Sequence, residues 1–143
     1  MPKFRSELFG HCIFAEELSY AELLAKETQL KEDLAGLFSQ AGFAHMHFTP
    51  IGDFLLVQGV AAEHDQDVFQ DVCETVCRLL DEGVAARLLF VDRFLDSVYF
   101  YVLNNKVWRE AFLEWPLPQE ALPKRGTPSD PQPALGRRRP KRR

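Results

Sequence analysis

The chain has 143 residues, 46% of them apolar and 12% aromatic, and a formal net charge of −4. This length suffices for one domain with a hydrophobic core but not for two, and the composition excludes a wholly disordered chain. No apolar run approaches the ~20 residues of a membrane helix, and the N-terminus lacks a signal-peptide pattern, so we expect a cytoplasmic protein with no membrane contact. Three cysteines, an odd number, indicate reduced and buried thiols rather than disulfides.

Charge divides the chain into two parts. Residues 121–143 contain eight basic residues and one acidic residue, whereas residues 1–120 contain nine basic and twenty acidic residues. Residues 116–143 also hold seven of the nine prolines, and such a segment cannot bury enough apolar surface to offset its ordering entropy. We therefore predict a globular α/β domain over residues 1–117 and a disordered, Pro-rich basic tail over residues 118–143.

The first predicted elements are a strand and a long helix. Residues 8–16 form an apolar run typical of a strand. Ser19 and Glu22 have the spacing of a helix capping box, and leucines at helical spacing follow them. Gly42 comes directly after this stripe and predicts a left-handed end to the helix.

A hairpin is predicted next. Residues 44–48 alternate, with Ala44, Met46 and Phe48 on one face. Residues 54–60 are almost continuously apolar, which is typical of a strand covered on both faces. The turn residues between these two runs predict that they pair as a hairpin.

The second half of the domain predicts one more helix and at least two strands. Asp65 or Asp67 can cap the helix, whose apolar stripe contains both Cys73 and Cys77. Strands are predicted over residues 86–92 and 97–103. Residues 106–115 fit a short helix, which we favour, or a strand paired through the turn at Asn104.

The order of elements is thus β-α-β-β-α-β-β with a short C-terminal helix as an addition. We predict an α+β domain with a single mixed sheet of about five strands and both main helices on one face, ferredoxin-like in the broad sense. Because open sheets expose strand edges, a homodimer formed through an edge is also expected.

Three histidines form the candidate metal site. His45 and His47 are two apart on a predicted strand, so alternation places them on one face about 6–7 Å apart at the backbone. If the first strand lies beside this one, His11 completes a set of three nitrogen ligands, as in a catalytic zinc site. The alternative is that all three are exposed or structural histidines.

Other patterns have a functional and a structural interpretation. Cys73 and Cys77 could chelate a metal, but their helical spacing on an apolar stripe favours core packing. Residues 63–65, Glu-His-Asp, could be an acid/base cluster or a solvated helix start. Residues 98–102 resemble a stacking strand for single-stranded nucleic acid, or they belong to the core. No phosphate loop, hydrolase elbow or cofactor motif occurs in the sequence.

Gly10-His11-Cys12-Ile13-Phe14-Ala15-Glu16, the leucine-rich helix and Ala41-Gly42 together resemble the N-terminal strand–helix unit of bacterial S-adenosylmethionine decarboxylases. That family cleaves itself at a Glu-Ser-His motif and makes a pyruvoyl group from the serine. The nearest counterpart here, Ala62-Glu63-His64, has no serine. The resemblance therefore implies a related domain without pyruvoyl self-processing.

A second resemblance concerns the later elements. Residues 53–57, the second helix, the strands from Asp92 to Val102 and the segment 109–115 follow the order of elements of the ribosomal silencing factor family. That family binds the large ribosomal subunit and is not an enzyme. The resemblance implies a non-catalytic, ribosome-associated role.

These observations lead to two functional hypotheses. The first is a non-enzymatic interaction or regulatory domain that contacts RNA, the ribosome or another polyanion through its basic tail. The basic residues expected to make this contact are Arg137, Arg138, Arg139, Lys141, Arg142 and Arg143. The alternative is a small enzyme or ligand-binding domain related to S-adenosylmethionine decarboxylase, with no cofactor evident from the sequence.

Overall fold

The computed structural model describes residues 3–14, 17–94 and 97–114. Its elements, in chain order, are β1 (Ser6–Phe14), α1 (Tyr20–Gln40), β2 (Phe43–Ile51), β3 (Phe54–Ala61), α2 (Gln66–Leu79), β4 (Val84–Asp92), β5 (Ser97–Leu103) and β6 (Trp108–Glu114). Within these residues no helix is long and apolar enough to cross a membrane.

The strands form one sheet in the order β2-β3-β1-β4-β5-β6, and every neighbouring pair is antiparallel. The α+β class and the hairpin of β2 and β3 are confirmed. The prediction of a mixed sheet is wrong, and the sheet has six strands where about five were predicted. A helix connects β1 to β2, but β3 lies between these two strands, so no parallel pair forms.

The sixth strand replaces the predicted C-terminal helix. Asn104 Oδ1 accepts hydrogen bonds from the backbone N–H groups of Lys106 (2.8 Å) and Val107 (2.9 Å), which closes a tight turn after β5. The chain then returns along β5, with Trp108 opposite Leu103 and Glu114 opposite Ser97. The strand alternative for residues 106–115 is therefore correct over Trp108–Glu114. The side chain of Asn104 forms the turn that directs the chain back along β5, and this pairing replaces the helix.

Both helices begin as the sequence predicts. In α1 the Ser19 hydroxyl accepts from the Glu22 N–H at 3.2 Å and the Glu22 carboxylate accepts from the Ser19 N–H at 3.0 Å, which completes the capping box. Gly42 follows with φ +91°, the predicted left-handed stop. Asp65 caps α2 by accepting from the Asp67 N–H at 2.9 Å. These local contacts fix where each helix begins and where α1 ends.

The core lies between the helices and one face of the sheet. Alternate residues of β1, β3, β4 and β5 face this core, β2 adds Phe43, and both helices contribute to the same cluster. Phe69 of α2 stacks on Phe90 of β4 with ring centroids 4.0 Å apart, and Phe38 of α1 meets Phe43 of β2 edge to face at 5.3 Å. The three cysteines are free and buried in this core, as predicted.

A bulge interrupts β2. The pairing register shifts between Ala44 and His47, and His45 between them has φ +54°. Ala44 consequently pairs with Val60 on the outer face of the sheet, whereas Met46 packs against the core. The prediction that Ala44, Met46 and Phe48 share one face is therefore wrong at Ala44. The bulge adds one residue to the strand, so the side chains after it lie on the face opposite to the one that strict alternation from Ala44 would give.

Candidate functional site

The face of the sheet turned away from the helices, here called the open face, is not covered by any described residue. In β1, β3, β4 and β5, mostly buried residues on the helix side alternate with exposed or half-buried residues on the open face. Apolar side chains predominate there. Phe9 is 41% exposed, Val102 46% and Leu113 54%. Contiguous apolar surface of this kind is typical of an interaction site rather than of ordinary solvent-facing sheet.

The strand registers arrange the open face in three rows that cross β3, β1, β4, β5 and β6. The neutral row contains Gln58, Phe9, Leu89, Phe100 and Ala111. On one side of it, the acidic row contains Val60, Glu7, Val91, Val98 and Leu113. On the other side, the basic row contains Leu56, His11, Arg87, Val102 and Arg109. Charge is thus sparse on this face, and the two signs lie on opposite sides of an uncharged row.

His11 and Arg87 are directly opposite each other in the basic row. The Arg87 guanidinium donates a hydrogen bond to His11 Nε2. Burial and the positive charge of Arg87 both lower the pKa of His11. The imidazole is therefore neutral at pH 7, and the positive charge of the basic row comes from Arg87 and Arg109.

A polar cluster on the helix side of the sheet centres on His64. Its Nδ1 lies 3.1 Å from Ser6 Oγ and its Nε2 lies 3.3 Å from Ser97 Oγ. Burial lowers the pKa of His64, although the charge of Asp92 opposes this effect. A neutral imidazole donates a hydrogen bond to one serine and accepts one from the other. His64 therefore links the loop before α2 to β1 and β5 through these two hydrogen bonds.

Asp92 ends β4 beside this cluster and is buried. Its Oδ1 accepts a hydrogen bond from the Phe94 N–H at 3.0 Å and lies 3.5 Å from Arg5 Nε. Ser6, with no exposed surface, is inaccessible to a substrate. The combination of hydroxyl, imidazole and carboxylate therefore serves to join the strand ends in this conformation. The sequence predicted either an acid/base cluster or a solvated helix start at residues 63–65, and it did not predict the contacts of His64 with Ser6 and Ser97.

Glu110 collects a second set of polar contacts. Tyr101 donates a 2.6 Å hydrogen bond to its carboxylate, and Gln66 and Gln70 of α2 donate further bonds of 3.1 and 3.2 Å. Beside it, Trp108 Nε1 donates to Glu74 at 2.8 Å. Side-chain hydrogen bonds thus attach the edge strand β6 to α2, which keeps its outer face aligned with the rest of the sheet.

The structure does not bring the three candidate metal ligands together. β3 separates β1, which carries His11, from β2, which carries His45 and His47. His45 lies in the bulge and contacts the ring of Phe4 at 5.3 Å, while His47 pairs with Gln58 on the open face. Among the described residues, no group of three His, Cys, Asp or Glu side chains is placed to hold a metal.

The remaining patterns divide between core and open face. Cys73 and Cys77 lie on the buried face of α2 and pack in the core. In the strand at residues 98–102, Tyr101 is buried in the core, whereas Phe100 belongs to the neutral row of the open face. The signal for the open face was present in the sequence, because residues 54–60 and 98–102 are apolar on both sides of their strands. This pattern predicted that both faces of these strands are covered, and no described residue covers the open face.

The basic residues proposed to bind a polyanion, and the boundary at residues 117 and 118, lie outside the described residues. No protein-family model and no curated protein matches the chain. The open face and the basic sequence of the tail are therefore the two features of the chain that bear on its function.

Proposed function

We propose that this chain is a non-enzymatic interaction domain that binds a macromolecular partner through the open face of its sheet. One observation carries this proposal: the outer sides of β3, β4 and β5 have the apolar character of strands covered on both faces, yet no described residue covers them. A folded domain gains about 25 cal/mol for each Å² of apolar surface that a partner removes from water.

Site-specific photo-crosslinking in the cells that make the protein tests the proposal. A photoreactive amino acid is placed at Val102, which is 46% exposed on the open face, or at Tyr20, which is 79% exposed on α1. We expect a discrete crosslinked product from position 102 and none from position 20. Equal crosslinking at both positions, or none at either, would contradict the proposal.

The second part of the proposal is that the basic tail contacts a polyanion, with RNA or the ribosome as the first candidate. It is supported by the six basic residues within residues 137–143. Proline and arginine without aromatic residues favour phosphate contacts over base recognition, so binding should depend little on sequence.

A variant with glutamine at these six positions keeps the length of the tail and removes its charge. We expect the natural chain to bind labelled single-stranded RNA with a log–log salt slope of roughly −0.7 for each phosphate contact, and the variant to lose this binding. If both chains bind RNA equally, or if neither chain binds it, the tail is not a polyanion-binding segment and this part of the proposal is contradicted.

A ligand-binding or enzymatic domain related to S-adenosylmethionine decarboxylase is the second candidate. The observation that favours it is the position of His64 between the hydroxyl groups of Ser6 and Ser97, since such a group can move protons once a substrate gains access. Calorimetric titration with S-adenosylmethionine tests it. Binding that weakens in a His64→Gln variant would support this candidate, and no heat of binding would exclude it.

Finer features of the fold and location also remain proposals. The order β-α-β-β-α-β of the first six elements, with β2-β3-β1-β4 as neighbouring strands, supports a ferredoxin-like description in the broad sense. Free, buried cysteines support a cytoplasmic location.

A further inference from the structure

We infer that the partner of the open face is a second copy of this chain, packed face to face so that the neutral row of one copy lies on the neutral row of the other. The inference rests on the proposed function, because it names the partner of the same surface. The two-fold axis would run along the neutral row, which contains no charged residue, and the two sheets would pack about 10 Å apart.

Charge on the open face is self-complementary under this two-fold axis. Rotation about the neutral row places the acidic row of one copy opposite the basic row of the other. Glu7 then faces His11 of the second copy, with Arg87 of that copy on the neighbouring strand. The same contact occurs twice in the dimer. Phe9, Leu89 and Phe100 meet their own counterparts at the centre, where charge would be costly to bury.

The size of the face suits a stable dimer. Six strands about 4.8 Å apart and about 23 Å long give a projected area on the order of 600 Å² per copy. Side chains standing on the sheet increase the accessible area beyond this projection. A standard interface buries about 800 Å² per partner, so one open face covered by another falls in the same range.

The strand edges are less suited to pairing than the face. The edge strand β2 contains the bulge at His45 and also Pro50, which cannot donate a backbone hydrogen bond. The other edge strand, β6, carries Arg109, Glu110 and Glu114. Such features hinder edge-to-edge association, which argues for a facial dimer in place of the edge dimer expected from the sequence.

Sedimentation equilibrium of the full chain tests the inference. We expect the natural chain to be a dimer at micromolar concentration, and a Phe100→Asp variant to be a monomer with native circular dichroism. Tyr20→Asp, which alters a more exposed aromatic residue on α1, is the control for the added charge and should remain dimeric. A natural chain that stays monomeric up to about 100 μM would overturn the inference.

Two charge-reversal variants test the register independently of the apolar core. Glu7→Arg and Arg87→Glu each place like charges in contact twice per homodimer, so each should raise the dissociation constant about tenfold or more. Mixing the two variants should restore association, because the heterodimer regains an opposite-charge pair at both contacts. A dimer that persists in both single variants and in Phe100→Asp would show that another surface pairs and would overturn the inference.

The outcomes separate this inference from the proposed function. A monomeric chain that crosslinks from position 102 to a different protein would contradict the homodimer and keep the interaction domain. A dimer through another surface, with no crosslinking from position 102, would contradict both. Crosslinking of position 102 within a dimer that the charge variants disrupt would support both.

Discussion

The hydrogen bond between Tyr101 of β5 and Glu110 of β6, at 2.6 Å, is the shortest that the Glu110 carboxylate accepts from the described residues. Burial tends to raise the pKa of Glu110, but hydrogen bonds from Tyr101, Gln66 and Gln70 outweigh it and hold that pKa below its usual range. The carboxylate form is therefore the one that stabilises the fold. This stabilisation is present above pH 4.5 and is lost as the pH falls through the lowered pKa.

We expect Tyr101→Phe to lower the free energy of unfolding by roughly 1 kcal/mol at pH 7, because one hydrogen bond to a charged acceptor is lost. The difference from the natural chain should shrink as the pH falls below about 4.5, because the unfolded chain takes up a proton on Glu110 at a higher pH than the folded chain does. Urea denaturation at pH 7 and pH 3.5 measures both values. Tyr99→Phe is the control, since the Tyr99 hydroxyl has no hydrogen-bond partner among the described residues, and an equal loss in both variants would contradict the assignment.

His64 makes a different contribution to the pH dependence. Its pKa is lowered below 6.5, chiefly by burial, so the unfolded chain takes up a proton on this side chain at a higher pH than the folded chain. The resulting stability is fully present above pH 6.5 and decreases as the pH falls from there toward the lowered pKa.

We expect His64→Gln to be less stable than the natural chain at pH 7.5 by about 1–3 kcal/mol, because the buried Ser6 loses part of its hydrogen bonding. The difference should narrow between pH 6.5 and pH 5, since only the natural chain loses stability there through His64. Thermal melts across this interval measure it. A constant difference at every pH would show that the imidazole is not buried in its neutral form.

At the scale of elements, the pairing of β1 with β4 depends on a close approach at Gly10. A Cβ atom added there would lie 2.6 Å from the carbonyl oxygen of Arg87, and this backbone atom cannot move without shifting β4. At Gly59 the corresponding contact, 2.2 Å, is with the sulfur of Met46, which sits at the end of a flexible side chain. The two glycines therefore differ in how much a methyl group would disturb the sheet.

We expect Gly10→Ala to destabilise the domain by about 2–3 kcal/mol or more, and Gly59→Ala to cost less because Met46 can rotate away. Gly36→Ala in α1, where nothing lies within 4 Å, is the control and should be stabilising by about 0.5–1 kcal/mol through helix propensity. Denaturant titration of the three variants gives the order. A tolerated Gly10→Ala would indicate that β1 and β4 are less tightly paired than the structure shows.

For the molecule as a whole, burial of the three thiols predicts their reactivity. Cys12 lies in β1, and Cys73 and Cys77 lie on the buried face of α2, so all three belong to the same core. Burial raises the pKa of Cys12 to about 12 and also raises the pKa of the other two thiols. The reactive thiolate is therefore scarce and shielded at neutral pH.

We expect a disulfide reagent to modify none of the three thiols rapidly in the native chain at pH 8, and all three once denaturant unfolds the core. A Ser39→Cys variant provides an exposed thiol on α1 as the control and should add one rapid equivalent. Rapid native reaction of one of the three natural thiols would show that part of the core opens without global unfolding.

Several features were determined by the sequence itself because their causes are local. The capping box at Ser19, the stop at Gly42 and the apolar stripes of both helices depend on residues within a few positions of each other, and the structure contains them as predicted. The same local rules failed at residues 106–115, where helical spacing of apolar residues competed with a turn built by one asparagine side chain. A partner strand, β5, decided in favour of the strand.

Tertiary structure alone decided the features on which the proposed function rests. The bulge at His45 and the position of β3 between β1 and β2 separated the three histidines, and neither is visible in the spacing of residues along the chain. The rows of the open face exist because five strands distant in sequence pair in register. The sequence determined which strands are apolar on both sides. The placement of both helices on one face is a tertiary feature, and it left the other face, with its self-complementary charges, uncovered among the described residues.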